Sequence, residues 1–514
     1  MEITSLSYLA FILLAVVIYY ITPAKVRWCA LLIFNFIYLL ISGSAILLIY
    51  PVASIFVAWL CTNRMEARRE AGDENAEKKC KQLLWIAVLA NLGVLIVLKY
   101  LNLGVFTFNA IAMRVNANAA FLNVIHFMVP VGVSFYTMSV LGYIYDVYYG
   151  ISKPEKNLIK LLTFGTYFPL MISGPIVRYK DINGELFGAN KLSNKNITFG
   201  AQRILIGFFK VLVISERLSL VAEEVFGNFQ NYYGRYTWFS MWIFAFQLYA
   251  NFSGSMDIVI GLSQMFGINL PENFRQPFFS ETIQEFWQRW HITLGAWLKD
   301  YILYPVLRTK TFMNMPQKWK DKLGKKKAKQ YTTFIAMAIL WFAVGLWHGG
   351  AWKYIWGTGL LQCIYIIISE LCTPAFKSIK AKLKINEKGF LFVQFKRIRT
   401  FILISIGLMF FNSNSLTDGF RMLGHAFCIG RDSVVEAGFG LGRSDWMILA
   451  MSFVLWLLMS IINEYSKQKD VREVIAARNI VIRWAIFYAL IIFIVIFGYY
   501  GPGYDAAQFI YQGF

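Results

Sequence analysis

Two of the chain's four histidines stand in segments that are otherwise apolar. His291 ends the stretch FWQRWH at 286–291, and His348 lies in the stretch GLWHGG at 345–350. An ionisable side chain is costly to keep within hydrocarbon, and imidazole is the side chain best suited to proton transfer near neutral pH. These two histidines are therefore our candidate catalytic residues, and together they indicate an acid–base centre at membrane depth.

The composition shows what kind of body must carry these histidines. Of 514 residues, 58% are hydrophobic and 15% are charged, and the mean hydropathy is +0.52. Such a chain cannot fold as a water-soluble globule, and apolar runs long enough to cross a bilayer, alone or in pairs, recur along it. The pattern predicts an all-α polytopic membrane protein with about eleven to thirteen transmembrane helices, besides re-entrant and amphipathic ones.

Positive charge is concentrated between the apolar runs. The net charge is +21, and Lys and Arg cluster at 64–81, 308–329, 377–399 and 467–483. In a soluble chain this excess would indicate nucleic acid, but between membrane helices it marks cytosolic loops beside an anionic leaflet. The first 24 residues carry no Lys or Arg. We therefore expect the amino terminus outside, and the first apolar run retained as a helix rather than cleaved as a signal peptide.

Several other kinds of site have no support in the sequence. The six cysteines lack C-x-x-C spacing, so they give no sign of zinc, a redox pair or a disulfide framework. There is no Walker A pattern, no dinucleotide-binding glycine motif and no polar stretch long enough to form a soluble domain. We expect one membrane domain over 1–514, with core motifs at about 125–430, C-terminal helices at about 440–514, and no metal.

The segment 251–305 departs most from an ordinary membrane span. Asn251 and Asp257 interrupt an apolar run, and Pro271 and Pro277 then break any helix. Irregular backbone is tolerated at membrane depth only where protein or a water-filled cavity surrounds it. The segment is therefore expected to line the interior of the protein.

A Trp-rich amphipathic stretch follows at 281–304, and we interpret it as a helix near the cytosolic surface. Trp287, His291 and Leu294 recur at i, i+4 and i+7, which predicts that His291 faces inward from this helix. Glu285 and Arg289 can form an i, i+4 ion pair beside them.

The second histidine segment has a different form. His348 ends a hydrophobic run and precedes Gly349 and Gly350, which let the backbone turn or let a substrate pass close. Nearby aromatic residues are candidates for lining the resulting passage: Trp347, Trp352 and Tyr354.

Each of these residues also has a plain structural interpretation. A Trp–His pair can anchor a helix at the membrane interface, and His126 and His425 are interpreted as interfacial or incidental. Asp257 is expected to be a buried carboxylate paired with a basic or backbone group rather than an acid or base, with a functional role left open by its depth.

The longest motifs resemble those of a known family. The run NFSGSMDIVIGLSQMFGINLPENFRQPFFSETIQEFWQRWHITLGAWLKDYILYPV at 251–306 and the run LWFAVGLWHGGAWKYIWGTG at 340–359 are similar to motifs of the membrane-bound O-acyltransferase (MBOAT) family. Supporting stretches lie at 129–150, 168–179 and 509–514. Within the family, the chain resembles the membrane subunits of polysaccharide O-acetylation, which are related to the teichoic acid D-alanyltransferase membrane proteins.

The resemblance implies a fold and assigns roles. It implies a ring of tilted helices around a thinned centre with a central channel, where a cytosolic route for an acyl donor meets an outer funnel for the acyl acceptor. His348 matches the family's catalytic histidine and His291 its second motif histidine. Asn251 stands where relatives often carry Asp.

The resemblance also implies a donor, partners and a location. The expected donor substrate is acetyl-CoA, with no bound cofactor. The expected partners are an extracytoplasmic esterase-like acetyltransferase and a polysaccharide synthase complex, and no nucleic acid. The expected location is the bacterial cytoplasmic membrane.

The chemistry itself needs few groups. Moving an acetyl group from a thioester to a hydroxyl needs a base for the hydroxyl proton and donors for the tetrahedral oxyanion. His348 can be that base or a nucleophile that carries the acyl group, and the sequence does not separate the two. The other candidate orienting or channel residues are Asn251, Asp257, Trp287 and Arg289.

Two other functions stay open at this stage. D-alanyl transfer to teichoic acid would use an acyl-charged carrier protein at the cytosolic face. The length of the chain beyond Phe401, with two further apolar runs, favours polysaccharide acetylation over it. A polysaccharide exporter or lipid flippase is the non-enzyme alternative. It predicts internal repeats or charge-lined broken helices in matching halves of the chain, and the sequence has no such repeat.

Overall fold

The structure is a computed structural model that describes residues 1, 3–72, 74–116, 121–125, 127–171, 173–428, 430, 437–466 and 470–500. This part of the chain is helical and contains no strand, only an isolated bridge between Phe274 and Trp290. The prediction of an all-α fold is confirmed. His126, the stretch 509–514 and part of the last basic cluster lie outside the described residues.

Long and short helices alternate along the described chain. The amino-terminal part contains α1 (Leu6–Ile21), α2 (Arg27–Ser42), α3 (Ile49–Glu70), α4 (Ala76–Leu95), α5 (Leu101–Val115), α6 (Val133–Tyr148), α7 (Leu158–Gly165), α8 (Tyr179–Leu186), α9 (Asn194–Phe208), α10 (Glu216–Gly227) and α11 (Arg235–Met265). The remainder contains α12 (Ile283–Arg289), α13 (Ile292–Leu298), α14 (Tyr304–Leu307), α15 (Lys310–Leu323), α16 (Lys325–His348), α17 (Trp352–Tyr354), α18 (Leu361–Leu371), α19 (Thr373–Lys382), α20 (Phe390–Asn412), α21 (Leu416–Ala426), α22 (Arg443–Tyr465), α23 (Val471–Ala476) and α24 (Ile480–Phe497).

Eight helical stretches of the described chain are long and apolar enough to cross a membrane, and two shorter apolar helices accompany them. About 20 helical residues span the roughly 30 Å of a hydrocarbon core. The chain is therefore a multi-pass membrane protein, as predicted. The eleven to thirteen helices expected from the sequence include short apolar runs. One of these runs, 205–214, is divided in the structure between α9 and a π-helical stretch, Phe209–Ser215.

The chain folds as two compact units that are interleaved in sequence. The first comprises Met1–Val213, Ala250–Glu272 and Arg472–Phe514, and the second comprises Ile214–Tyr249 and Asn273–Val471. Both candidate histidines belong to the second unit.

Glycines set the packing of α9 against the carboxyl-terminal half of α11 in the first unit. A Cβ built on Gly207 would lie 2.6 Å from the carbonyl oxygen of Gly254, and one built on Gly200 would lie 2.6 Å from that of Gly261. Because any side chain at these positions would hold the backbones apart, glycine is what permits the close approach.

An ion-pair network also joins α9, and a residue that closely follows it, to α11. Asp257 accepts hydrogen bonds from Arg203 Nε at 3.0 Å and from Lys210 Nζ at 2.7 Å, and Arg203 also donates to Glu272 at 2.6 Å. The predicted pairing of Asp257 with basic groups is confirmed, and its side chain is 14% exposed. The α11 helix continues through both polar residues to Met265, and no α-helix of the described chain includes Pro271 or Pro277, where the sequence predicts a break.

A second set of glycines packs the helices of the second unit. A Cβ on Gly345 of α16 would lie 2.5 Å from Cα of Ile355, and one on Gly359 would lie 2.6 Å from the carbonyl oxygen of Trp341. These contacts press the end of α16 directly onto the backbone of the π-helical stretch Ile355–Leu360, which leads into α18.

The α16 helix and the chain from Ile355 through α18 form a helical hairpin, and two of the basic clusters flank one of its ends. Gln330, near the start of α16, donates from Nε2 to Glu370 Oε1 near the end of α18 at 2.8 Å. Cluster 308–329 precedes the first of these residues and cluster 377–399 follows the second, so both lie at this end.

The opposite end of the hairpin carries His348. Lys353, five residues later, donates from Nζ to the carbonyl oxygen of Ser413 at 2.6 Å. Because Ser413 follows the last residue of α20, this bond ties the end of α20 to the end of the hairpin that carries His348.

Candidate active site

The α16 helix delivers His348 to a buried position. The helix ends at His348, where Gly349 takes an extended backbone, and the imidazole is 2% exposed. Gly345, one turn earlier, presses this end of the helix onto the neighbouring backbone. The structure therefore places His348 where the sequence indicates, at the end of an apolar helix and before two glycines.

His291 lies between two short helices rather than on the face of one. It separates α12 from α13 and has φ 48° and ψ 51°, while its side chain is 2% exposed. A non-glycine residue in this left-handed region is strained and persists only where its surroundings fix it. The predicted stripe of Trp287, His291 and Leu294 is wrong, because the turn at His291 breaks the helical phase.

Main-chain hydrogen bonds on both sides hold this turn. The N–H of Arg275 donates to the carbonyl of Arg289 at 2.9 Å, and the N–H of Ile292 donates to the carbonyl of Asn273 at 3.0 Å. The loop after α11 thus pairs with the chain on either side of His291, which fixes its unusual backbone.

The side chain of Asn273 orients the imidazole. Its Oδ1 accepts hydrogen bonds from the main-chain N–H of Thr293 at 3.2 Å and from the Thr293 hydroxyl at 2.9 Å, and it lies 3.2 Å from His291 Nδ1. A backbone N–H can only donate, so the amide atom that faces it must be the oxygen. Nδ1 of His291 then carries the proton, and the neutral ring keeps its lone pair on Nε2.

The surroundings of His291 favour its neutral form. Burial, and secondly the neighbouring His348, hold the pKa of His291 well below its ordinary value of 6.5. An imidazole that stays neutral at physiological pH keeps a lone pair on one ring nitrogen and can accept a hydrogen bond there.

Aromatic rings join the two histidines. The Trp347 ring makes edge contacts with both imidazoles, at centroid distances of 5.2 Å to His291 and 5.1 Å to His348. His348 also contacts Phe411 at 5.6 Å, and Phe411 contacts Tyr354 at 5.0 Å. Four of the predicted site residues thus lie in one continuous cluster.

Trp287 ties α12 to the α16–α18 hairpin. Its Nε1 donates to Gln362 Oε1 at 3.3 Å, and its ring meets that of Trp341 edge-on at 5.1 Å. Trp287 therefore supports the cluster from the side of α12, and its role toward a substrate stays a prediction.

Arg289 is engaged with two carboxylates. Its guanidinium contacts Glu285 at 2.8 Å and Glu464 of α22 at 2.8 Å. The predicted i, i+4 pair is confirmed, and the second contact attaches α12 to the end of α22. An orienting role for Arg289 toward the substrate stays a prediction.

The remaining predicted site residues have different surroundings. Trp352, at the start of α17, is 44% exposed. Asn251 and Asp257 belong to the first unit, where Asp257 is held by its ion pairs and Asn251 is buried in α11. The Asn251 Oδ1 atom has no hydrogen-bond partner among the described residues.

His425 has structural contacts in the described chain. It lies near the end of α21, its Nδ1 is 3.2 Å from the carbonyl oxygen of Phe229, and its ring stacks on Tyr233 at 4.3 Å. These contacts support the interpretation of His425 as a packing residue.

Asn273 is the site residue that sequence reasoning missed. It lies in a loop 18 positions before His291, and only the fold brings the two together. The available signal was the sequence PENF within the long motif, where an amide lies two residues after a proline.

The cluster offers acid–base chemistry. Two buried imidazoles both contact the Trp347 ring. One lies at a helix end and the other in a strained turn. No group of three or more His, Cys, Asp and Glu side chains in the described part of the chain is placed to hold a metal ion. An imidazole can take up a proton and return it near neutral pH.

Comparison with known proteins identifies related sequences. The family model described as "MBOAT, membrane-bound O-acyltransferase family" matches residues 152–316, a stretch that includes His291 and ends before His348. The probable alginate O-acetylase AlgI of Pseudomonas syringae pv. tomato is 32% identical over 359 residues, which cover 69% of this chain and 62% of the relative.

Two relatives carry other names. The peptidoglycan O-acetyltransferase of Helicobacter pylori is 26% identical over 372 residues, covering 66% of this chain and 64% of the relative. The teichoic acid D-alanyltransferase of Bacillus subtilis is 28% identical over 273 residues, covering 51% and 62%. The chain thus spans a little under two thirds of the length of these three relatives. On the family match, these relatives and the all-helical multi-pass fold, the chain belongs to the membrane-bound O-acyltransferase family.

Proposed function

We propose that the protein transfers an acetyl group from cytosolic acetyl-CoA for O-acetylation of a polysaccharide outside the bacterial cytoplasmic membrane. The observation that carries the proposal is the buried His291–Trp347–His348 cluster at the end of an apolar helix. The names of the relatives, which include an alginate O-acetylase and a peptidoglycan O-acetyltransferase, support the acetyl group and the polymer.

In the proposed reaction His348 acts as the base. It takes the proton of the acceptor hydroxyl while the hydroxyl oxygen attacks the thioester carbonyl carbon. The tetrahedral intermediate then collapses, the carbon–sulfur bond breaks, and the imidazolium returns the proton to the leaving thiolate. The products are an acetate ester and free coenzyme A, so no oxidant or metal is consumed.

The test is acetyl transfer by the purified full-length protein in lipid nanodiscs. Radiolabelled acetyl-CoA is supplied together with crude cell-envelope polysaccharide, and both coenzyme A release and labelled polymer are measured. His348→Ala should lower the rate by about 100-fold or more, because the base is lost.

His425→Ala is the matched control for this test. His425 is also a histidine at a helix end, but its ring packs on Tyr233 and a backbone carbonyl. It should retain the wild-type rate. Wild-type turnover in His348→Ala would contradict the assignment of the base.

D-alanyl transfer to teichoic acid is the second candidate, favoured by the similarity to a D-alanyltransferase. That match covers a smaller share of this chain than the O-acetylase match does. The discriminating measurement is the donor: consumption of a D-alanylated carrier protein, and not of acetyl-CoA, would replace acetylation by this function. Polymer or lipid movement in proteoliposomes without acyl turnover would instead support the exporter or flippase.

We propose an orientation with the basic clusters in the cytosol and the amino terminus outside. The Gln330–Glu370 hydrogen bond supports it, because two basic clusters then share one end of the hairpin. His348 lies at the other end of α16, toward the proposed external acceptor.

The proposed partners follow from the route of the acetyl group. In the cell, an extracytoplasmic esterase-like acetyltransferase would pass the acetyl groups to the polymer, and a polysaccharide synthase complex would supply that polymer. Co-purification of such proteins with the tagged full-length chain tests this proposal, and recovery of the chain alone from cross-linked membranes would contradict it.

A further inference from the structure

We infer that Asn273 is a positioning residue for acyl transfer, because it holds the proton of His291 on Nδ1 and thereby leaves the lone pair of Nε2 as a hydrogen-bond acceptor. This inference rests on the proposed function, since the tautomer affects catalysis only if His291 takes part in the reaction.

The orientation of the Asn273 amide is fixed independently of the histidine. The side chain is fully buried, and its Oδ1 accepts from both the main-chain N–H and the hydroxyl of Thr293. Rotation of the amide by 180° would point an N–H group at the Thr293 N–H, which has no lone pair to accept it. The oxygen therefore faces His291 Nδ1, and that nitrogen must donate.

The same residue also fixes the backbone beside the ring. The carbonyl of Asn273 accepts the main-chain hydrogen bond from Ile292, directly after His291. One residue thus constrains both the strained turn and the imidazole that it carries. A strained backbone held on two sides is the arrangement expected where a side chain must keep one orientation.

An amide at this position suits the chemistry better than a carboxylate. Asn273 supplies an oxygen acceptor without adding negative charge, so it sets the tautomer without favouring the imidazolium. His348, across the Trp347 ring, becomes positively charged when it takes a hydroxyl proton. A second imidazolium at His291 would oppose that charge, so a neutral His291 keeps His348 basic.

Two substitutions and a control test the positioning role with acetyl-CoA as the donor. Asn273→Ala removes the oxygen, and kcat should fall on the order of 100-fold with little change in KM for acetyl-CoA. Asn273→Asp keeps the oxygen but adds charge, so the acid limb of the activity profile should move upward on the order of one pH unit. Thr293→Val removes one hydrogen bond to the same oxygen without touching the imidazole, and it should leave the profile in place.

A spectroscopic readout separates this inference from the proposed function. With four histidines in the chain, nitrogen-15 labelling of the imidazoles gives a simple spectrum, and His291→Gln identifies the signals of His291. The wild type should show the proton on Nδ1, and Asn273→Ala should lose that preference while Thr293→Val keeps it.

Two results would overturn the inference. One is a wild-type His291 with its proton on Nε2, and the other is an Asn273→Ala protein with unchanged tautomer and kcat. If the wild type transfers no acyl group but shows the Nδ1–H tautomer, the proposed function fails while the hydrogen bond from His291 to Asn273 stands.

Discussion

His291 and His348 reach the same cluster by different means. His348 needs only the end of a long apolar helix, whereas His291 needs a left-handed turn that hydrogen bonds on both sides keep in place. Removing an ordinary side chain from such a turn releases strain as well as contacts. The two histidines should therefore contribute differently to stability, and the pH dependence of unfolding tests the contribution of His291.

Acid should destabilise the protein through His291. Burial first, and then His348, hold its pKa below 6.5 in the folded protein. Below that pH the unfolded chain binds more protons than the folded one. The contribution of neutral His291 to the free energy of unfolding is therefore complete above about pH 6.5 and is lost as the pH decreases. The fall should reach at most about 1.4 kcal/mol per pH unit.

Thermal unfolding in detergent at about pH 7.5 and about pH 5.5 measures this effect. His291→Gln cannot titrate, so its unfolding temperature should fall less than that of the wild type. His425→Gln serves as the control and should behave as the wild type does. An equal fall in all three proteins would show that another group carries the acid sensitivity.

At the scale of elements, glycine rather than side-chain complementarity sets the closest contacts. In the second unit, Gly345 and Gly359 let α16 lie directly on the π-helical stretch Ile355–Leu360. Backbones that touch leave little freedom to slide, so the last turn of α16, and with it His348, has a defined position.

Gly345→Ala should displace this turn. The added Cβ would lie 2.5 Å from Cα of Ile355, a backbone atom that cannot move aside alone. We expect a loss of stability of about 1–3 kcal/mol and a clear loss of acyl transfer. Gly424→Ala in α21 is the control, since its Cβ would meet nothing within 4 Å.

The control substitution should be neutral or stabilise the protein by about 0.5–1 kcal/mol, because alanine favours a helix. Unfolding temperature and initial rate, measured for both variants, distinguish the two sites. Wild-type stability and rate in Gly345→Ala would mean that the helices separate without affecting the site.

What the sequence reveals at this scale depends on the range of the interaction. The end of α16 at His348 and the Glu285–Arg289 pair are local features, and both follow from spacing of a few residues. The turn at His291 does not, because hydrophobic periodicity assumes a continuous helix and the strain is fixed by Asn273, 18 residues away.

A buried charge is an intermediate case. The cost of an unpaired carboxylate in a membrane predicts that Asp257 has a basic partner, but not which one. Arg203 and Lys210 lie about fifty residues earlier, and only the packing of α9 against α11 identifies them. The bounds of the helices likewise depend on packing, since an apolar run does not tell whether a helix continues beyond it.

At the scale of the whole molecule, the proposed orientation can be read from cysteines. Lys318 in α15 lies at the basic end of the second unit, whereas the native Cys428 is exposed and follows α21 at the other end of the 23-residue helix α20. A helix of that length rises about 35 Å, enough to separate the two sides of a membrane.

A membrane-impermeant maleimide applied to intact cells should therefore label Cys428 and spare Lys318→Cys. The background protein carries Cys29→Ser and Cys372→Ser, because these two cysteines are partly exposed. After the cells are opened, Lys318→Cys should label as well. Labelling of Lys318→Cys on intact cells would reverse the proposed orientation.

The ion-pair network around Asp257 also bears on how the chain is made. Arg203 and Lys210 leave the ribosome before Asp257 does, so the cations are already in place when the helix that carries the carboxylate enters the bilayer. Inserted alone, that carboxylate would cost about 2.5–3.5 kcal/mol. Biogenesis of α11 is thus coupled to the earlier arrival of α9, and a chain with both Arg203→Ala and Lys210→Ala should insert α11 less completely than the wild type does.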